Sequence, residues 1–221
     1  PVDTDLCIIG AGSAGLTVAA GAAQMGARVV LIERDKMGGD CLNYGCVPSK
    51  ALIAAAHRAQ TMRGSAAFGI TPVEPEVDFA AVMDHVQSVI DAIAPHDSVE
   101  RFTGLGVNVI QASSRFIDER TVEAGDAQIR AKRFIVATGS RASIPPIPGL
   151  QDVPCLTNET GFHNRVRPEH LIVVGGGPIG LEMAQAHRRL GSRVTVLEVA
   201  KAFAKDDPEL AQVVKDAVTA E

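Results

Sequence analysis

The chain has 221 residues, 46% of them apolar but only 4% aromatic, with 21 glycines, which fits one large or two smaller domains built from α/β layers of Val, Ile, Leu and Ala. A formal net charge of −5 without any basic cluster argues against nucleic acid as a partner. No apolar run reaches membrane-spanning length, Pro1–Asp5 lacks the regions of a signal peptide, and four cysteines without an export signal point to a reducing cytoplasm, where a disulfide is more often catalytic.

Leu6–Ile9 is an apolar strand entering Gly10-Ala-Gly-Ser-Ala-Gly15, and a small-residue helix follows to about Met25. A second strand, Arg28–Ile32, ends at Glu33. Strand, glycine triplet, helix, strand and acid together are the βαβ dinucleotide fingerprint. The glycines allow a tight turn, a close approach to pyrophosphate and close helix-on-strand packing, with the phosphates at the helix N-terminus. Glu33 is placed to accept hydrogen bonds from a ribose.

Gly38 to Lys50 reads Gly-Gly-Asp-Cys-Leu-Asn-Tyr-Gly-Cys-Val-Pro-Ser-Lys. In a regular helix a pair spaced like Cys41 and Cys46 is too far apart to bridge, since disulfide Cα atoms come within roughly 7 Å. A bridge therefore requires an irregular turn, with Gly45 supplying the backbone freedom. Pro48 suits the opening turn of a helix, and a thiol at a helix start has a lowered pKa. The stretch reads as a redox-active disulfide. A structural disulfide, half of a zinc site and two buried free thiols are the other readings. Zinc lacks further ligands, because Cys7 and Cys155 stand alone in apolar segments, and so short a bridge would stabilise little.

Helices are expected over about Ser49–Arg63 and Asp78–Arg101, the latter with Phe79, Val82, Val86, Val89 and Ile93 as a core stripe, and Gly69–Pro75 as the loop between. Val107–Ala112, Arg115–Ile117, Thr121–Glu123 and Gln128–Arg130 read as a β-meander. Arg133–Ala137 is a strand ending in the turn Thr138-Gly139-Ser140, and the proline-rich Ile144–Gly149 marks a domain boundary. The fingerprint then recurs 165 residues on: Leu171–Val174, Gly175-Gly-Gly-Pro-Ile-Gly180, Val194–Leu197 and Glu198. Gly10, Gly12, Gly15, Leu16, Ala19, Gly26, Arg28, Val29 and Glu33 all meet their own kind. Two dinucleotide sites mean two cofactors that must meet. The expected fold is α/β: a Rossmann-like domain with a parallel sheet, helices and an antiparallel meander over residues 1–145, then an incomplete second Rossmann-like domain over residues 146–221, cut short soon after a helix opening near Pro208.

These motifs resemble the class I pyridine nucleotide–disulfide oxidoreductases, and within them the dihydrolipoamide dehydrogenase and mercuric reductase-like branch. The resemblance implies that Gly10, Gly12, Ser13, Gly15 and Glu33 hold the ADP half of FAD, with Ser114, Thr138, Gly139 and Ser140 as further contacts. It implies that Lys50 sits near flavin N5 paired with Glu182, that Cys46 faces the flavin and that Cys41 exchanges with substrate. Gly175, Gly177 and Gly180 would bind the nicotinamide cofactor. Glu198 accepts from a ribose 2′-hydroxyl and repels a 2′-phosphate, which favours NAD(H) over NADP(H), although Lys201 is nearby. The implied substrate is a small disulfide, dithiol or metal ion, and the full-length protein is expected to be a homodimer.

Asp40 departs from the family pattern, standing where many members have Thr. Family members continue past the equivalent of Glu221 into a dimerisation domain with a His–Glu base. None of the six histidines here has that context, so packed or solvated roles are expected for His57, His85, His96, His163, His170 and His187. The other functional class is a non-catalytic FAD/NAD-binding or redox-sensing module.

Overall fold

A computed structural model describes residues 2–221. In chain order the elements are β1 (Val2–Ile9), α1 (Ser13–Gln24), β2 (Val29–Glu33), α2 (Gly39–Asn43), α3 (Cys46–Arg63), α4 (Phe79–Ile93), α5 (Val99–Gly104), β3 (Asn108–Gln111), β4 (Ser114–Asp118), β5 (Thr121–Ala124), β6 (Ala127–Val136), α6 (Asn158–Gly161), β7 (His170–Val174), α7 (Pro178–Arg189), β8 (Arg193–Leu197) and α8 (Pro208–Thr219). They form two compact units. One takes the chain up to Pro48 together with Gln87–Phe162, the other Ser49–Val86 with His163–Glu221.

The first unit is an α/β sheet in the order β3-β2-β1-β6-β5-β4. β1 pairs in parallel with β2 and β6, and β2 with β3, while β4, β5 and β6 run antiparallel. Adjacent residues of β1 and β2 alternate between two cores, as strand pleating requires. Ile8, Val29 and Leu31 join Leu16, Ala19 and Phe102 on one face; Cys7, Val30 and Ile32 join Val122, Ala124 and Ile129 on the other. The parallel strands are thus covered on both sides, which is why they read as continuous apolar runs. Burial pushes the Cys7 thiol up to about 11, and that cysteine is core packing.

The meander differs from expectation. Val107–Ala112 does not belong to it, because β3 lies parallel to β2 at the opposite edge of the sheet. Gln128–Arg130 and Arg133–Ala137 are one strand, β6, whose first half pairs with β5 while most of its length pairs with β1. The expected Asp78–Arg101 helix is also broken. α4 stops at Ile93, a 3₁₀ turn carries Pro95, and Ser98 starts α5 by accepting from Arg101 N. Proline lacks the N–H that continuation needs, and serine is a preferred N-cap. The buried stripe of α4 is Phe79, Met83, Val86 and Ile90, whereas Ile93 is exposed.

In the second unit β7 and β8 form a two-stranded parallel sheet, with α7 as the crossover helix between them. Ile172 and Leu197 are 56% and 51% exposed, while their counterparts in the first copy, Cys7 and Ile32, are fully buried. His187 is half-buried on α7, its ring 5.8 Å from that of Phe79 and its Nδ1 2.9 Å from the Met183 carbonyl, a packed histidine. Asp84 pairs with Arg165, and Arg63 grips Glu74 and donates to the Arg189 carbonyl at 2.7 Å. Those contacts bind α3 and α4 to the second βαβ copy.

Candidate functional site

Gly10 leaves β1 at φ +107°, a left-handed value that suits glycine, and its N–H donates to Ile32 O at 2.8 Å. A Cβ there would lie 2.2 Å from the Ala137 carbonyl oxygen, and one on Gly15 would lie 1.8 Å from the Gly10 carbonyl oxygen. Close approach excludes any side chain at either position. Gly12 starts α1, no side chain caps that start, and its first turn carries no acid. Elsewhere Ser98 and Asp207 close helix starts with side chains. A helix N-terminus left open beside glycine backbone is the arrangement that takes phosphate, so the residues fit a bound dinucleotide. Ser13 is exposed in the first turn of α1.

Glu33 Oε2 accepts from Ala11 N at 2.7 Å and Oε1 from Asp35 N at 2.8 Å, which aims the carboxylate at the glycine loop. It retains lone pairs for a ribose hydroxyl. The Thr138–Ser140 turn is brought to the same place: Ala137 N donates to Ile9 O at 2.8 Å, and Thr138 N lies 3.2 Å from the Cβ position of Gly10. Ser114 opens β4, three residues past Gln111, the register partner of Glu33.

The second copy repeats this geometry. Gly175 has φ +117°, and its N–H donates to Leu197 O at 2.8 Å. A Cβ on Gly180 would lie 2.1 Å from the Gly175 carbonyl oxygen. Gly177 starts α7 with the same backbone angles as Gly12, again with neither a side-chain cap nor an acid in the first turn. Glu198 Oε2 accepts from Gly176 N at 2.8 Å and Oε1 from Ala200 N at 3.0 Å.

The cysteine stretch rests directly on the first glycine loop. Gly38 N donates to Ala11 O at 2.9 Å, and Gly38 and Gly39 both have positive φ. A Cβ on Gly39 would meet the Gly12 Cα at 2.6 Å. The Gly-Gly pair in the sequence was the available signal for this contact, and the sequence reading missed it. α2 ends at Asn43, Tyr44 leaves helical geometry at φ −140°, and α3 begins at Cys46, earlier than the expected Ser49. The irregular turn between the cysteines is therefore present, but Gly45 does not serve it through left-handed freedom. It supplies space, since a Cβ there would lie 2.8 Å from Asp40 Oδ2.

Cys41 and Cys46 are free cysteines here, and they are electrostatic neighbours. Cys41 is half-buried and Cys46 exposed. Burial first, and then the neighbouring Cys46 side chain, push the Cys41 thiol up to about 11, so Cys41 is protonated near neutrality. Cys155 is exposed in the loop before α6. Among the described residues no group of three His, Cys, Asp or Glu is arranged to hold a metal ion.

In the second unit Lys50 Nζ donates to Glu182 Oε2 at 2.6 Å, joining α3 to α7. The pair borders a cleft of about 330 Å³ lined also by Ile53, Gln185 and Arg189. Both side chains are substantially exposed, and such surface pairs are worth roughly 0–1 kcal/mol. The pairing therefore adds little to stability.

Residues 4–221 match the family described as pyridine nucleotide-disulphide oxidoreductase. The chain belongs to that family. Among curated members it is 38% identical to a mercuric reductase of Acidithiobacillus ferrooxidans, over 98% of this chain and 41% of that protein. It is 36% identical to a mercuric reductase of Streptomyces lividans, over 93% of this chain and 45% of that protein. The fold matches that of the HOCl-induced flavoprotein disulfide reductase RclA from Escherichia coli, solved alone and as a Cu(II) complex. For the Cu(II) complex the TM-score is 0.82 at 27% identity, covering 97% of this chain and 46% of that one. The chain thus spans less than half the length of each of these relatives. Its architecture is the Rossmann-like, FAD-binding fold of the flavoprotein disulfide reductases, and among the described residues no helix is long and apolar enough to cross a membrane.

Proposed function

We propose that this oxidoreductase passes electrons between a nicotinamide cofactor and the Cys41–Cys46 pair by way of FAD, and from the dithiol to a small disulfide or a soft metal ion. The observation that carries the reading is the pair of cysteines set across the Tyr44–Gly45 break between α2 and α3, on a segment whose glycines lie against an open helix start. The FAD contacts lie within residues 1–145, in the first unit: Gly10, Gly12, Ser13, Gly15, Glu33, Ser114 and Thr138–Ser140. Residues 146–221 contribute to the nicotinamide domain, with Gly175, Gly177, Gly180 and Glu198 as contacts and NAD(H) favoured over NADP(H).

When bound, FAD would supply two-electron exchange between nicotinamide and dithiol. The chain's own residues do the rest. Glycine backbone and the α1 N-terminus would bind phosphate, Glu33 would orient a ribose, and the Lys50 ammonium, fixed by Glu182, would supply a positive charge to stabilise the reduced flavin. Cys41 exchanges with substrate: its sulfur attacks a disulfide, one substrate thiol leaves, and Cys46 displaces the second as the Cys41–Cys46 bond forms. A thiol raised to about 11 needs a base for that attack, and its source is expected elsewhere in a cytoplasmic homodimer. The similarity to mercuric reductases supports a metal ion as substrate, and that to RclA supports a disulfide.

Anaerobic titration of the purified flavoprotein with NADH tests the scheme. A long-wavelength thiolate-to-flavin band that disappears in Cys46→Ser and survives in Cys41→Ser is the expected result. A colourless protein whose cysteines ignore NADH would reduce it to a nucleotide-binding module.

A further inference from the structure

We infer that Asp40, anchored by Asn158, is a positioning residue that sets the geometry of the Cys41–Cys46 pair; the inference rests on the dithiol reading above. Asp40 meets the cysteine loop at two points and α6 at a third. Its backbone carbonyl accepts from Tyr44 N at 2.8 Å. Its Oδ2 stands 2.8 Å from the Cβ position of Gly45, so the glycine lies flat against the carboxylate. Its Oδ1 accepts from Asn158 Nδ2 at 2.7 Å. Asn158 is itself placed by the first turn of α6, where Thr157 and Thr160 form a reciprocal capping box. On the far side of the loop Asn43 Nδ2 donates to Met37 O at 3.0 Å and to Gly39 O at 2.8 Å. The short non-helical link between the two thiols is therefore gripped from both ends.

That grip has a chemical consequence. Whether two thiols close into a disulfide depends on their effective concentration, which follows from how far the intervening chain is held in one conformation. Threonine at this position has no second oxygen to lay against Gly45 while the first holds an amide. The carboxylate does both, and it acts on the sulfurs through the loop, without touching them.

The test equilibrates the purified protein with graded dithiothreitol and glutathione buffers, in which two electrons and two protons pass from the buffer thiols to the protein disulfide. Alkylation then traps the Cys41–Cys46 peptides for weighing by mass spectrometry. Losing one such hydrogen bond is worth about fivefold in an equilibrium, so Asp40→Ala and Asn158→Ala each shift the pair about fivefold toward the dithiol. Asp40→Asn, whose amide oxygen still accepts from Asn158, stays close to the parent. Asn158→Ala only trims a surface side chain, and its circular dichroism will match the parent's. Alanine variants that titrate like the parent, or that move toward the disulfide, overturn the inference. So does Asp40→Asn moving as far as Asp40→Ala, because charge and not position would then be responsible. A pair that stays dithiol in every buffer overturns the redox reading itself, and this inference with it.

Discussion

Glu198 holds the Gly176 amide at 2.8 Å just as Glu33, 165 residues earlier, holds the Ala11 amide at 2.7 Å. Each carboxylate also takes the amide two residues further along the chain. For Glu198 the Ala200 and Gly176 amides keep its pKa below the usual range, so it is a fixed anion beside the second glycine loop. A ribose 2′-phosphate brought there meets a charge that cannot turn aside. Replacing Glu198 by Ala, or better by Arg, is expected to raise the NADPH-to-NADH ratio of kcat/KM by about tenfold, the worth of one charge-assisted contact. Steady-state kinetics with both nucleotides decides it, and an unmoved ratio removes the argument.

Glycine matters here mainly where backbone meets backbone. Gly39 has φ +56° and a Cβ position 2.6 Å from the Gly12 Cα, with no flexible side chain to yield. Gly39→Ala is expected to cost about 2 kcal/mol or more and to weaken flavin retention, because strain and clash coincide. Gly21, inside α1, has nothing within 4 Å of its Cβ position and no positive φ. Gly21→Ala should therefore raise stability by about 0.5–1 kcal/mol. Denaturant melts of the two variants, run together, measure both signs.

The same contrast shows what could be read from sequence. The two βαβ units were legible because Gly10, Gly15 and Glu33 answer local demands of turn, packing and capping that leave fixed residue types at fixed spacing. The break in the predicted Asp78–Arg101 helix was legible too, in Pro95 and Ser98, although apolar periodicity outweighed them. The route of β6 was not, since one strand serving two partners is decided by sheet assembly, and nothing in Ala127–Val136 announces it. Nor was the Asp40–Asn158 contact, which joins residues 118 apart through an ordinary amide.

Lys50 separates stability from chemistry. Its bond to Glu182 joins two exposed side chains, so Lys50→Ala should cost less than about 1 kcal/mol in a thermal or denaturant melt. NADH-dependent flavin reduction should nonetheless fall about a hundredfold, the usual loss when a charge aimed at developing negative charge is removed. Stopped-flow reduction beside a melting curve tests both halves. A variant that unfolds easily but is reduced normally would make the lysine a strut.

His187 gives the pH dependence. Partial burial lowers its pKa from the ordinary 6.5, because the ring packs against Phe79 and loses part of its hydration. The unfolded chain binds the proton first as pH falls, so this contribution to stability is complete above about 6.5 and drains away below it. The carboxylates of Asp84, Glu74 and Glu221 have pKa values lowered by their arginine partners, and they titrate further down the scale. Between pH 7 and pH 5.5 the histidine is therefore exposed to view. The melting temperature should fall across that window in the parent, and His187→Leu should flatten the fall even where it lowers the absolute value. Equal slopes for parent and variant would mean that the ring reaches solvent.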